Sequence, residues 1–514
     1  MSVVDSPEQR PTTGSAGSGE SHGASLIASL RRAPRSPAVV AVVVCTVLAA
    51  LSAAVLPTVP SYDPWSWIVW GREVTDPHLS FIIGGGSSWK PLPVIFTTVW
   101  GLFGSAAPTL WVITARIGGL LGLWGAWKLA SRLVGSGWSG ALAGILAVAG
   151  IVLTQDWVYY FLRGTSEVIL IAATVWLVDR LIDGRRTQAF LLGAVAGLIR
   201  PEWWPFLFLY AVWLVWRDPS FRTPAKLLIL TAGLVAQPVF WFLPPYITTG
   251  HAFSAATQAA QYNGHLGTNV LRTVVARGVN DQVLPALILG IVAVVVGWIR
   301  DRNRVILGIG LGIIAWWMVV VAETLDGYPG LERFFLPAAA LICVLGGVGV
   351  VLLARWAGDL AGRATGRAPV VAGALAAVVL VALWIPFSTT RTRISDARAF
   401  FPAASEAVST FHELDHVIAA AGGRGAIFPC RSSFAAINHS VQSAMAWKLG
   451  VTLERVGTRM TQPGLDFIGP HNSIDGGPAR VDPRLTHHET VASTGGWRVV
   501  RLTTPRLPTA CDGR

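Results

Sequence analysis

Apolar runs of up to about 20 residues recur along the chain, and a run of that length crosses a lipid bilayer as one helix. Of the 514 residues, 53% are hydrophobic and only 13% are charged. Soluble domains usually carry roughly 25% charged residues, so this chain has too little charge to cover a surface in water. The expected fold class is an all-α polytopic membrane protein with about eleven spans and a small C-terminal α/β domain. The first span is expected at 37–59, followed by 108–130, 138–155, 165–182, 187–200, 202–216, 226–246, 284–299, 305–322, 334–354 and 369–388.

The charge pattern orients these spans. The net charge of +12 invites a nucleic-acid partner, but its carriers lie in short loops between apolar segments, so the partner they suit is the bilayer. With the N-terminus inside, one side collects Arg31, Arg32, Arg35, Lys128, Arg132, Arg180, Arg185, Arg186, Arg217, Arg222, Lys226, Arg300, Arg302, Arg304, Arg355, Arg363 and Arg367. The other side holds only Arg72, Lys90, Arg163, Arg200, Arg272, Arg277 and Arg333. This asymmetry predicts a plasma-membrane protein with a cytoplasmic N-terminus and an extracytoplasmic C-terminus.

Three regions follow. Residues 1–36, rich in Ser, Gly, Pro and Thr, read as a disordered cytoplasmic tail. Residues 37–389 form the membrane domain, with a long first outer loop at 60–107 whose apolar piece from Leu92 to Phe103 is too short to cross and suits an interfacial or re-entrant helix. Residues 390–514 are more polar and form the extracytoplasmic domain. There, Ala403 to Ala421 has the pattern of an amphipathic helix, and Gly425–Phe428 and Trp497–Leu502 have the pattern of strands. Cys45 and Cys343 lie in apolar segments. Cys430 and Cys511 lie in the polar region, where an oxidising compartment would allow them to pair.

Polar residues gather in the outer loops. The first loop carries Asp63, within Ser61-Tyr62-Asp63-Pro64-Trp65-Ser66-Trp67, and Lys90, within Trp89-Lys90-Pro91-Leu92-Pro93. The second carries Asp156, Arg163 and Glu167, and the third is the tight Arg200-Pro201-Glu202 turn. The fourth includes Tyr246, His251, Tyr262, Asn263 and His265, and the fifth runs from Glu323 to Arg333 and includes Asp326 and Tyr328. Ionisable groups at membrane depth are costly and face a cavity or a partner. Carboxylates and cations from five loops on one face predict a shared site, in which Arg or Lys holds an anionic headgroup and a carboxylate serves as base.

Each piece also has a plainer reading. Asp63-Pro64 could end the first span as a turn. Trp65, Trp67, Trp203 and Trp204 could form an interfacial belt. Arg200 and Glu202 could be an ion pair closing a hairpin, Arg333 a snorkelling flank residue, and Gly84-Gly85-Gly86-Ser87-Ser88 a flexible loop in place of an anion-binding nest. His412-Glu413-Leu414-Asp415-His416 matches H-E-x-x-H on an expected helix. It lacks a spaced third ligand, though His487, His488 and Glu489 lie downstream, so a solvated helix face is expected over a zinc protease. Asn438-His439-Ser440 matches a glycosylation sequon.

The arrangement resembles the GT-C class of integral-membrane glycosyltransferases over about residues 37–390. Arg200-Pro201-Glu202 is similar to the turn common in polyprenyl-phosphate-dependent mannosyl- and arabinosyltransferase-like proteins. Glu332-Arg333-Phe334-Phe335-Leu336-Pro337 is similar to their Arg-Tyr-x-x-Pro segment, with Phe334 in place of Tyr. Tyr62-Asp63-Pro64-Trp65 stands where that class carries its first-loop aspartate, although a single Asp replaces the usual acidic pair. The resemblance implies transfer of a mannose- or arabinose-class sugar from a polyprenyl-phosphate donor to a cell-envelope glycan or glycolipid. It implies Asp63 as base, Lys90, Arg200 and Arg333 holding phosphate, and Asp156, Arg163, Glu167 and Glu202 completing the substrate site. No cofactor is required, and a divalent metal is compatible with the carboxylates. The alternative function is a flippase of lipid-linked sugars.

Overall fold

A computed structural model describes residues 37–261, 269–365, 369–382, 384, 387–470, 479–504 and 511. The expected tail 1–36, with Arg31, Arg32 and Arg35, and the residues Tyr262, Asn263, His265 and Arg367 lie outside the described residues. The chain divides into two compact units, 1–44 and 45–514. Of the first unit only the start of the helix Pro37–Val55 is described.

Five helices are long and apolar enough to cross a membrane: Ala38–Val55, Gly104–Val134, Pro224–Thr249, Arg304–Leu325 and Glu332–Arg363. Two bent pairs raise the number to seven if each counts as one broken span. Trp138–Val152 and Trp157–Arg163 meet at 75°, and Val270–Asp281 and Leu284–Ile299 meet at 95°. The protein is a multi-pass membrane protein, and among the described residues five to seven of the expected spans of about eleven meet the length and composition of a full crossing. Helices stand at the remaining expected places as Glu167–Ile182, Arg186–Gly197, Trp204–Arg217 and Pro369–Ala382, which have 16, 12, 14 and 14 residues. Each is shorter than the roughly 20 residues of a comfortable crossing. The expected span 138–155 is the helix Trp138–Val152, and Asp156, left-handed with φ 57°, precedes the helix Trp157–Arg163. The short apolar piece of the first loop is the helix Pro91–Gly101.

The helix Leu336–Thr365 runs through the centre of the bundle, and its apolar stretch is almost wholly buried. Its Leu345-Gly346-Gly347-Val348-Gly349 sequence permits this. A Cβ on Gly347 would strike the Ala143 carbonyl, and one on Gly349 would strike that of Leu289. Small residues let helix backbones approach where lipid offers no hydrophobic drive for association.

The C-terminal region holds a five-stranded mixed sheet. Its strands are β1 (Phe434–Ile437), β2 (Val456–Gly457), β4 (Gly464–Ile468), β6 (His487–Thr494) and β7 (Trp497–Thr503), in the order β2-β1-β4-β7-β6. Strand β1 runs parallel to β2 and β4, and β7 runs antiparallel between β4 and β6. Strands β3 (Arg459–Met460) and β5 (Arg480–Val481) form a separate pair. The expected strand at Trp497–Leu502 lies inside this sheet. The one expected at Gly425–Phe428 is instead the short helix Gly423–Ile427, which follows left-handed Gly422 and Gly423; a short apolar run does not distinguish the two states. The expected helix from Ala403 is the second half of a 33-residue helix, Ser388–Ala420. Cys430 and Cys511 form a disulfide, with Cα atoms 5.9 Å apart.

This region shares a hydrophobic core with the first outer loop. Trp65, Trp67 and Trp70 of the helix Tyr62–Thr75 are buried in one cluster with Leu414, Met445, Leu453, Phe467 and Trp497. Trp65 and Trp67 are therefore core residues, which corrects the interfacial-belt reading. Polar clamps lock the same contact. The Arg72 guanidinium donates to the carbonyls of Trp447 (2.8 Å), Ala446 (3.3 Å) and Val451 (2.7 Å). Glu73 accepts from the backbone amides of Ile82 (3.3 Å) and Leu453 (3.2 Å).

Burial pushes the Glu73 carboxyl from its ordinary 4.5 up to about 8, against the pull of the two backbone donors and Arg72. The folded state thus holds this proton more tightly than the unfolded chain. The stability it brings is full below about pH 4.5 and is lost as pH rises through about 8. The apparent Tm of the detergent-solubilised protein is expected to fall between pH 6 and 9, and Glu73→Gln to flatten that part of the slope. An unchanged slope in the variant would contradict this origin.

Candidate active site

The site begins where the chain leaves the first span. Ser61 is extended (φ −82°, ψ −178°), and Tyr62-Asp63-Pro64 forms the first turn of Tyr62–Thr75. That position favours a carboxylate, because the helix N-terminus carries partial positive charge. Arg163 fixes the approach: its Nε donates to the Val59 carbonyl (3.0 Å) and its Nη2 to that of Pro60 (3.1 Å). The Ser61 amide in turn donates to the Arg163 carbonyl (3.0 Å). Asp63 Oδ2 then meets Arg333 Nη1 at 2.8 Å. Arg333 belongs to the 3-10 turn Glu332–Phe335, which leads into the central helix.

A second charge chain lies beside the first. Lys90 is the residue preceding the helix Pro91–Gly101. Its Nζ donates to Ser166 Oγ (2.8 Å) and Glu167 Oε1 (2.9 Å). The Leu92 amide bonds to the Leu198 carbonyl (3.1 Å), tying this segment to the Arg200 turn. Arg200 precedes Pro201, which favours its extended backbone (φ −141°, ψ 117°). Its Nη1 lies 3.1 Å from Glu202 Oε1 and its Nη2 3.6 Å from Glu167 Oε1. Its guanidinium stacks on the Phe334 ring at 3.9 Å. Lys90, Glu167, Arg200 and Glu202 are each no more than 4% exposed.

These cations border a cavity of about 630 Å³, lined by Tyr62, Asp63, Ser87, Lys90, Arg200, Glu323, Tyr328, Arg333 and His439 among others. Arg200 Nε and Nη2 and Arg333 Nε are buried without a hydrogen-bond acceptor. Buried guanidinium donors are normally satisfied, so three unmet N–H groups beside a cavity suit an anion with several acceptor oxygens. Among the described residues, no group of three or more His, Cys, Asp or Glu is placed to hold a metal ion.

The expected residues divide cleanly. Asp63, Lys90, Arg200 and Arg333 line the cavity, and Glu167 and Glu202 stand behind them as partners of the cations. Asp156 and Arg163 are not on that wall. Asp156 sits at the helix break, where Arg393 bonds to Gln155 Oε1 (3.0 Å) and to the Asn280 carbonyl. Arg163 lies instead against the loop backbone, where it holds the approach to Asp63. The nest reading of the glycine run also gives way, because Gly86 packs against Leu453 and Trp70 and the Ser87 amide donates to Ser66 Oγ (3.1 Å). In the H-E-x-x-H stretch, Glu413 accepts from Trp497 Nε1 (3.1 Å) and Ser409 (3.1 Å), and Asp415 pairs with Lys448. Sequence reasoning missed Ser87 and His439 as wall residues. His439 drew notice only within a sequon, and nothing local in the sequence places it beside Asp63.

The arrangement of helices and C-terminal sheet is similar to that of two solved ArnT structures. The solved structure of ArnT from Cupriavidus metallidurans bound to undecaprenyl phosphate matches with a TM-score of 0.52 at 14% identity, over 94% of this chain and 100% of that one. The apo ArnT structure matches with a TM-score of 0.51 at 15% identity, over 91% and 98%. No family model and no curated protein sequence matches the chain.

The buried charges make a stability prediction. Removing one partner of a buried pair leaves an uncompensated charge and costs about 3–5 kcal/mol, whereas removing both is far milder. Lys90→Met is expected to lower the Tm of the purified protein sharply, and Lys90→Met with Glu167→Gln to recover part of the loss. A double variant less stable than the single would contradict the pairing.

Proposed function

We propose that the protein is a membrane glycosyltransferase that moves a sugar from a polyprenyl-phosphate donor to a hydroxyl of a cell-envelope glycan or glycolipid. The single observation carrying this reading is the meeting, in one cavity, of an aspartate with a lysine and two arginines whose guanidinium donors are partly unmet. The fold likeness to ArnT, whose solved structure holds undecaprenyl phosphate, supports a polyprenyl carrier. The Arg-Pro-Glu and Glu-Arg-Phe-Phe-Leu-Pro strings favour a mannose- or arabinose-class sugar.

In this scheme Asp63 takes the proton of the acceptor hydroxyl. The acceptor oxygen bonds to the anomeric carbon, the bond from that carbon to the phosphate oxygen breaks, and the configuration inverts. Polyprenyl phosphate leaves with one more negative charge, which Lys90, Arg200 and Arg333 stabilise in a site shielded from water. Arg333 exchanges Asp63 for the phosphate as the donor binds, freeing the base. Glu167 and Glu202 hold Lys90 and Arg200 in place. These cations supply the charge that a metal would otherwise supply, so EDTA treatment is expected to leave transfer unchanged.

The reaction face is the outer one. The Cys430–Cys511 disulfide supports this, since such bonds persist in oxidising compartments. The loop charge asymmetry supports it as well.

In membranes supplied with polyprenyl-phosphate mannose or arabinose, Asp63→Asn is expected to reduce transfer by at least about 100-fold. Arg333→Ala is expected to weaken donor binding by about tenfold or more. Full activity of Asp63→Asn would overturn the base assignment. The two sharply bent helix pairs favour a second reading, translocation of a lipid-linked sugar. A vesicle assay in which Asp63→Asn still moves lipid-linked sugar across the bilayer, with no glycosidic product from the wild type, would favour it.

A further inference from the structure

One stretch of the cavity wall comes from a distant part of the chain. Among the described lining residues, only His439 lies beyond Phe334 in sequence. It follows β1 in the turn His439–Val441, where Asn438 Oδ1 accepts from the Ser440 amide (2.9 Å). The His439 imidazole packs on the Tyr62 ring with centroids 3.8 Å apart. Tyr62 is in turn braced from the C-terminal side, since its hydroxyl donates to Gln442 Oε1 (3.1 Å) and Gln442 Nε2 donates to the carbonyls of Gly85 and Val456. Ser87 closes the same corner, with its hydroxyl donating to the Asp63 carbonyl (3.4 Å).

The chemistry of this corner differs from that of the cation cluster. Lys90, Arg200 and Arg333 present positive charge, and the two arginines carry unmet donors, a set that suits phosphate. Tyr62, His439 and Ser87 present two rings, a phenol and an imidazole, and two hydroxyl groups. Such a set suits a pyranose or furanose ring: aromatic faces cover its C–H surface, and imidazole nitrogen and hydroxyls exchange hydrogen bonds with its hydroxyls. Asp63 joins the two corners, being bonded through the chain to Tyr62 and ion-paired to Arg333. A sugar resting on the Tyr62–His439 pair would bring a hydroxyl to Asp63, on a wall contiguous with the phosphate site.

We propose that Tyr62 and His439 form the acceptor subsite, that it takes a neutral sugar, and that the C-terminal region contributes to acceptor recognition through His439. The word acceptor rests on the transferase reading above; the carbohydrate site itself does not. His439 is a binding residue in this assignment, and Asp63 remains the base.

The test uses the full-length protein in detergent micelles and two probes, an α-linked mannose disaccharide and an α-linked arabinose disaccharide. Binding is read by saturation-transfer NMR, undecaprenyl phosphate binding by lipid pull-down, and folding by Tm. At least one disaccharide is expected to bind the wild type. It is expected to bind about tenfold more weakly to His439→Ala, the worth of one good hydrogen bond and its ring contact, with partial rescue in His439→Asn. Undecaprenyl phosphate binding and Tm should hold. In the transfer assay His439→Ala should raise acceptor KM about tenfold at unchanged donor KM. Equal disaccharide binding by wild type and His439→Ala, or no binding of either probe, would overturn the proposal, as would a parallel loss of lipid binding. If sugar binding depends on His439 but no polyprenyl donor supports transfer, the transferase reading falls and the subsite stands. If transfer depends on Asp63 but His439→Ala keeps wild-type acceptor KM and sugar binding, the subsite falls and the transferase reading stands.

Discussion

The Glu167 carboxylate is held between Lys90 at 2.9 Å and Arg200 at 3.6 Å, at about 1% exposure. A charge that deep is tolerated only with partners at close range. Lys90 arrives on the first outer loop, Glu167 at the start of a membrane helix and Arg200 from a turn between two short helices. Holding the three together fixes where the loop meets the bundle, and so fixes the floor of the cavity on which Asp63 and Arg333 face each other. Phe334, under the Arg200 guanidinium, ties this network to the turn that presents Arg333.

A second constraint acts from the other side. The first outer loop is too small to bury its own tryptophans. Trp65 packs on Phe411 and Trp447 of the C-terminal region, Trp67 packs on Trp111 of the bundle, and with Trp70 they share one core with Leu414, Met445 and Phe467. Arg72 and Glu73 add hydrogen bonds to the same contact. The helix that carries Asp63 is thus clamped between the bundle and the sheet-bearing region, which is a sound way to hold a reactive group in one geometry. The same clamp brings His439 to the cavity.

Much of the membrane architecture was legible because apolar periodicity is a local signal. Helices stand at each expected place from 37 to 382. The count of full crossings was not legible, since a run of apolar residues does not say whether its helix bends. The pair Trp138–Val152 and Trp157–Arg163 shows this: the polar Thr154-Gln155-Asp156 stretch marks an end to the first helix but not the 75° angle at which the next one leaves. The charged residues of the site were also legible in part. A buried Lys or Arg in an apolar chain stands out, and Lys90, Arg200 and Arg333 do converge on a cavity. Arg163 stood out equally, yet its guanidinium goes to the Val59 and Pro60 carbonyls. Residue type announces a charge but not its partner.

By itself the sequence determined that this chain enters a membrane, roughly where its apolar helices lie, and which few charged residues must find company there. Those outcomes follow from hydrophobic length and the cost of unpaired charge, which are properties of short stretches. The tertiary structure alone decided which charges meet. It matched Asp63 with Arg333, 270 residues away, and set His439 against Tyr62. Such pairings depend on shape and close packing between segments far apart in the chain, and no local pattern encodes them.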